Sequence, residues 1–97
     1  MKLLFRPEAV EELAEIRAWY ESQGRGLGND FMRSIEVALA QIARFPSAAS
    51  GVQGDVRRTL VRKFPYSLFH AVEGDFVVIL GCIHQHRAPI HWPQLDH

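Results

Sequence analysis

The run Val56-Arg57-Arg58-Thr59-Leu60-Val61-Arg62-Lys63-Phe64-Pro65-Tyr66-Ser67-Leu68-Phe69-His70-Ala71-Val72-Glu73-Gly74-Asp75, continued by Phe76-Val77-Val78-Ile79-Leu80-Gly81-Cys82-Ile83-His84, decides the fold class. From Asp55 the pattern has a strand period: Val56, Leu60 and Phe64 line one face, although Arg58 and Arg62 share that parity. Pro65 ends or bends this strand, because proline brings no N–H to a ladder. Tyr66 to Val72 reads as the next strand, and Glu73-Gly74-Asp75 as a tight hairpin turn. Phe76 to about His84 is apolar on both faces, which places it at the centre of a sheet.

The first half of the chain has a helical period. Residues 2–6 form a short strand ended by Pro7, which suits a first helical position. From Pro7 to about Gln23, Ala9, Leu13, Ile16 and Tyr20 make one apolar face, with Val10 and Trp19 at its margins. Glu8, Glu11 and Glu12 favour the helix start through the macrodipole. Gly24, Gly26 and Gly28 break the helix, and Asn29 or Asp30 can cap a second one running to about Phe45. Phe31, Ile35, Ala38, Leu39, Ile42 and Phe45 share its face, and Pro46 is a stop signal. Gly24-Arg25-Gly26-Leu27-Gly28 follows a helix and lacks the G-x-G-x-x-G spacing, so it is a turn and not a phosphate loop. Pro46 to Gly54 reads as a loop of small residues. The expectation is one α+β domain over residues 1–97, of order β-α-α-β-β-β, with a helical hairpin packed on a small, mainly antiparallel sheet.

Composition narrows the function. The 97 residues are 47% hydrophobic and 23% charged, which excludes disordered and low-complexity classes. Eleven basic residues balance eleven acidic ones, poor equipment for gripping a nucleic-acid backbone, so no direct sequence-specific nucleic-acid binding is expected. The only cysteine, Cys82, cannot form an internal disulfide; it lies in the apolar run as a buried small hydrophobe and suits a reducing cytoplasm. That run is far short of the ~20 residues a membrane span needs, and the N-terminus lacks a signal-peptide core, so a soluble cytoplasmic protein is expected.

The charges are uneven. Arg57, Arg58, Arg62 and Lys63 put four cations within seven residues. In a strand, Arg57 and Lys63 would point to one face and Arg58 and Arg62 to the other. Such a strand is either an edge protected by its charges or a surface for a carboxylate-rich partner. All five histidines follow residue 51, but no H-E-x-x-H or cysteine spacing supports a metal site, and no cofactor is implied. His84, His86 and Arg87 stand at the end of the central strand. With Arg58 and Arg62 nearby they could run acid–base cleavage of RNA, an imidazole moving protons and arginine stabilising the phosphorane.

The order Arg57–Arg58, Phe64-Pro65-Tyr66, an apolar strand, Gly74-Asp75, a second apolar strand and then His84, Arg87, Pro89 and Trp92 resembles the RelE/ParE toxin superfamily. Phe5-Arg6-Pro7-Glu8-Ala9, followed by an acidic helix, matches as well, so the resemblance covers nearly the whole chain. It is closer to the ParE branch. Three positions depart from the pattern: His70 stands where tyrosine is usual, His86 where a first arginine is common, and Ala88 where aspartate is frequent.

The resemblance implies a toxin of a type II toxin–antitoxin (plasmid-stabilisation) module that poisons DNA gyrase. A ParD-like antitoxin would neutralise it by wrapping over it, giving a hetero-oligomer. Target and partner contacts are then expected among Arg57, Arg58, Arg62, His84, Arg87, Trp19 and Trp92, the two tryptophans as aromatic anchors. Two alternatives remain. One is a RelE-like, ribosome-dependent and metal-independent mRNA endonuclease using Arg58, Arg62, His84, His86 and Arg87; the other is an orphan, non-toxic antitoxin-binding module. Net neutrality, and the presence of only Lys2 and Lys63 as lysines, favour the gyrase branch over the nuclease.

Overall fold

A computed structural model describes residues 1–86. Its elements run β1 (Lys2–Phe5), α1 (Pro7–Gln23), α2 (Leu27–Arg44), β2 (Ser50–Gln53), β3 (Val56–Leu60), β4 (Tyr66–Glu73) and β5 (Phe76–His84). The five strands form one sheet in the order β1-β5-β4-β3-β2, with β1 parallel to β5 and every other pair antiparallel. The α+β class and the helical hairpin are as expected. The strand count differs by one, because Ser50–Gln53, read as loop, pairs with the start of β3. β2 has Val52 as its one apolar side chain and a register irregularity between Gly51 and Gln53, so its sequence has no strand alternation to detect.

α1 starts as predicted at Pro7, with the Arg6 carbonyl accepting from the N–H groups of Ala9 and Val10. α2 starts at Leu27, before the expected Asn29 or Asp30 cap. The reason lies in α1: Glu21 reaches across the turn and accepts from the N–H groups of Gly26 (3.1 Å) and Gly28 (3.0 Å). A carboxylate on the orphan donors does the work of an N-cap from the preceding helix. Those backbone bonds, first Gly26 and then Gly28, hold the Glu21 carboxyl below the usual carboxylate range. Gly26 sits at φ 88°, a left-handed conformation that favours glycine. Gly28 is needed for space: a Cβ there would lie 2.9 Å from the Arg17 carbonyl oxygen, so the helices cross closely at this point.

The helices cover one face of the sheet. Ala9, Leu13, Phe31, Ile35, Ala38 and Ile42 pack there on Val61, Leu68, Val77, Ile79 and Cys82. Phe45, expected on the same helical face, is instead the exposed C-cap residue. Val56, Phe69, Ala71, Val78 and Leu80 form a second apolar cluster on the other side of the sheet. Alternation along β5 serves both clusters, Val77 and Ile79 on the helix side and Val78 and Leu80 on the other. The register irregularity at Phe69/His70, which leaves Leu80 as the extra residue, brings Cys82 back to the helix-side core. Burial, then the Glu12 carboxylate, push the Cys82 thiol up to about 12, so it is a packed hydrophobe rather than a nucleophile.

The expected strand Asp55–Phe64 is shorter than its sequence suggests. β3 stops at Leu60, and the chain turns through Arg62 and Lys63, the latter at φ 70°, before the Val61 N–H bonds the Tyr66 carbonyl. Val56, Leu60 and Phe64 therefore do not share a face: Val56 joins the second cluster, Leu60 is 59% exposed, and Phe64 packs on the helix side. Phe64, Tyr20, Phe31 and Tyr66 make a ring cluster with centroid separations of 4.9–6.4 Å, pinning the helical hairpin to this turn. His70 is fully buried, its Nε2 2.8 Å from the Pro46 carbonyl, and ties β4 to the end of the helical hairpin.

Candidate functional site

The four clustered cations divide into three environments. In β3, Arg57 lies opposite His70 and Arg58 opposite Phe69, so the two point to opposite faces as expected. Arg57 is half-buried and its Nη1 donates to the Ala49 carbonyl at 2.7 Å, which anchors the segment leading into β2. Arg58 is exposed. Arg62 and Lys63 are exposed in the turn after β3, not in the strand, so the predicted alternation of all four does not form. The cationic surface of this end is therefore Arg58, Arg62 and Lys63.

His84 ends β5 directly opposite Tyr66, the two rings edge to face at 5.1 Å. The His86 ring stands 5.4 Å away, and the His86 N–H donates to His84 Nδ1 at 3.1 Å. His84 Nδ1 is thus the acceptor, and its neutral form carries the proton on Nε2. Arg57 pairs with His70 and His70 with Ile79, which places Arg57 five residues along the sheet from His84, roughly 15 Å at ~3.3 Å per residue. Arg58, opposite Phe69, lies by the depression at the end of α2, whereas His84 lines a separate cleft beside α1. The sheet thus brings Arg62, His84 and His86 to one end and leaves Arg57 and Arg58 outside that group. Arg87 and Trp92, with Pro89, lie outside the described residues. Among the described residues no three metal-ligating side chains converge.

Trp19 is 56% exposed, with its indole edge to face on Tyr20 at 5.0 Å, so the expected anchor is accessible. On the far side of α1 a shallow apolar groove of about 570 Å³ runs between the helices. Val10, Leu13, Ala14 and Ala18 line α1's wall, Met32 stands on α2, Phe5 at one end, and Arg17 and Glu21 are its polar groups. A third depression of about 300 Å³ lies at the end of α2, where Phe45 and Leu60 expose large apolar surfaces beside Arg58. The sequence reading singled out neither Phe45 nor Leu60 as a surface residue, since both carried the period of a buried face.

The cleft by His84 has a volume of about 340 Å³, and α1 contributes Glu12, Glu15 and Ile16 to its wall. Glu12 Oε1 accepts from the Cys82 N–H at 3.0 Å. Burial, opposed by that bond, raises its carboxyl above the usual range. In the sequence Glu12 was one of several acids at a helix start, and nothing local marks it as a sheet contact.

The sequence model of the ParE toxin of type II toxin–antitoxin systems, parDE, matches residues 3–89. The chain belongs to the ParE toxin family. A solved structure described as the chromosomal ParDE toxin–antitoxin system from P. aeruginosa has the same fold, with a TM-score of 0.64 at 17% identity over 87% of this chain and 95% of that one. A search of curated proteins finds no match. The RelE/ParE resemblance and its ParE branch are thus borne out, and this ParE-family chain is a toxin of the type II class. Among its described residues no helix is long and apolar enough to cross a membrane.

Proposed function

We propose that this ParE-family toxin acts by binding and poisons DNA gyrase, with a ParD-like antitoxin neutralising it. The observation that carries the non-catalytic reading is that, among the described residues, Arg57 and Arg58 stand apart from His84 and His86, which leaves Arg62 as the one arginine of the cluster at their end of the sheet. Metal-free RNA cleavage needs a proton-transfer group and a phosphorane-stabilising cation within hydrogen-bond reach of one phosphate. Here Arg57 is committed to the Ala49 carbonyl, and Arg58 lies by the depression at the end of α2, separate from the cleft that His84 lines. Net neutrality adds to this, since work among ribosomal RNA phosphates favours an excess of Lys and Arg.

The groove between α1 and α2 supports the antitoxin part of the reading. Its apolar floor and its rim of Arg17 and Glu21 suit the apolar face of an amphipathic segment. The reading involves no cofactor. Induced expression should arrest growth with filamentation, the response to DNA damage, and co-expression of the cognate antitoxin should restore growth. Arrest without filamentation, accompanied by cleavage of ribosome-bound mRNA, would instead make Arg62, His84 and His86 a nuclease site. Normal growth would leave an antitoxin-binding module without a target.

A further inference from the structure

β5 is paired on both sides over its first half only. β1 covers Phe76–Ile79, and the Arg6 N–H on the Ile79 carbonyl (3.0 Å) is the closing bond before the chain enters α1. Beyond Ile79, no strand among the described residues lies on that side of β5. In an antiparallel pair, successive residues turn their N–H and C=O alternately toward the partner and away from it. Cys82 faces away from β4, because its N–H is held by Glu12. His84, two residues on in unbroken register, faces the same way. The backbone groups of Cys82 and His84 therefore open onto the position a further strand would take. The Glu12 carboxylate fills one hydrogen-bonding place there that a strand carbonyl would otherwise fill.

The surroundings of this edge have a definite sign. Glu12 and Glu15 line the cleft next to it. The charges that bear on Glu12 are those of Glu15 and Glu8, both of its own sign. Over Pro7–Gln23, α1 carries five glutamates against one arginine. A sheet edge beside carboxylates that meet only charges of their own sign among the described residues attracts a cationic chain and repels an acidic one. The His84 ring adds aromatic surface to the same cleft, which suits guanidinium stacking.

We propose that the β5 edge at Cys82–His84 accepts an extended, basic segment of a partner protein by strand addition, its cationic side chains meeting Glu12 and Glu15. Main-chain bonds to the Cys82 carbonyl and to the His84 N–H and carbonyl supply the register, and alternate side chains supply the specificity. The proposal concerns this edge and stands apart from the choice of target, so it can fail while the gyrase reading holds.

The probe is a fluorescein-labelled peptide of alternating arginine and valine, titrated onto the full-length protein. Anisotropy reads binding, and hydrogen exchange reads the His84 amide. Saturable binding is expected, with exchange at His84 slowed by about tenfold or more. Glu15→Gln and Glu12→Gln should each weaken binding by roughly threefold to tenfold; Glu12→Gln keeps an acceptor for the Cys82 N–H and removes only charge. The same peptide N-methylated along its pairing edge keeps its charge but cannot add to a sheet, and should bind at least about tenfold more weakly. Equal binding of the methylated peptide, no binding of either, or no protection at His84 would overturn the proposal. A His84 amide already slow in the free protein would overturn it too, because residues 87–97 or a second copy would then hold the edge.

Discussion

His70 gives the chain a pH-dependent stability whose sign follows from its surroundings. The ring is fully buried, and since Pro46 offers only a carbonyl, Nε2–H is the donor in the 2.8 Å bond. Nδ1 has no partner, so it is the bare nitrogen of a neutral ring, and protonating it would bury a charge without an acceptor. Burial is the leading cause that lowers its pKa below the ordinary 6.5; the Pro46 bond opposes it and the Arg57 charge assists it. Above pH 6.5 both the folded and unfolded forms are neutral, and His70 adds no slope. Below pH 6.5 the unfolded chain takes up a proton that the folded chain refuses, so stability falls as pH falls. The limit is about 1.4 kcal/mol per pH unit for one proton, continuing down to the folded pKa. His70→Gln places an amide N–H near Nε2 and removes the titration. Urea unfolding of both proteins at pH 7.5, 6.5 and 5.5 isolates the effect, because carboxylate contributions such as that of Glu12 cancel in the difference. The variant should be less stable at pH 7.5, by about 1–2 kcal/mol, and should close that gap by roughly 1 kcal/mol at pH 5.5. A gap that is constant across the three pH values would refute the argument.

Phe31→Ala removes the ring shared by the Tyr20, Phe64 and Tyr66 contacts and should cost about 3–5 kcal/mol, seen as a large fall in Tm by circular dichroism. Gly28→Ala gains helix propensity but drives a methyl to 2.9 Å from the Arg17 carbonyl oxygen, so Tm should fall, by an amount matching about 1–3 kcal/mol; a rise would show that α2 can shift freely. Cys82, buried with its thiol pushed up to about 12, should resist iodoacetamide at pH 8 until denaturant unfolds the chain, with mass spectrometry counting the adduct.

The parts of the fold that were legible are those whose period the core itself imposes. Phe31, Ile35, Ala38 and Ile42 recur at helical spacing because they meet the sheet, and all four are buried. The run Val77–Leu80 is apolar at every position because β5 has a buried cluster on each face. What escaped notice depends on residues distant in the chain. The start of α2 is set by Glu21 in the preceding helix, and the Cys82 N–H is satisfied by Glu12, 70 positions away. β2 has one apolar side chain and exists by pairing with β3. The end of β3 was hidden because Val61 and Phe64 continue an apolar pattern through a turn, each meeting the helix-side core after the chain has changed direction. The same turn removes Arg62 and Lys63 from the strand, so four cations that are neighbours in sequence do not form one stripe. Exposure of Trp19 at the helix margin did follow from its angular position on α1, opposite the groove lined by Val10, Ala14 and Ala18.

The central claim, that this ParE-family toxin acts by binding gyrase rather than by cutting RNA, is tested most directly with purified, antitoxin-free protein. Relaxed plasmid, gyrase and ATP are incubated with it, and the topoisomers are resolved on a gel. The account predicts dose-dependent loss of supercoiling or accumulation of linear, gyrase-linked DNA. Full supercoiling at every dose of a protein shown to be folded, together with cleavage of mRNA on added ribosomes, would contradict it.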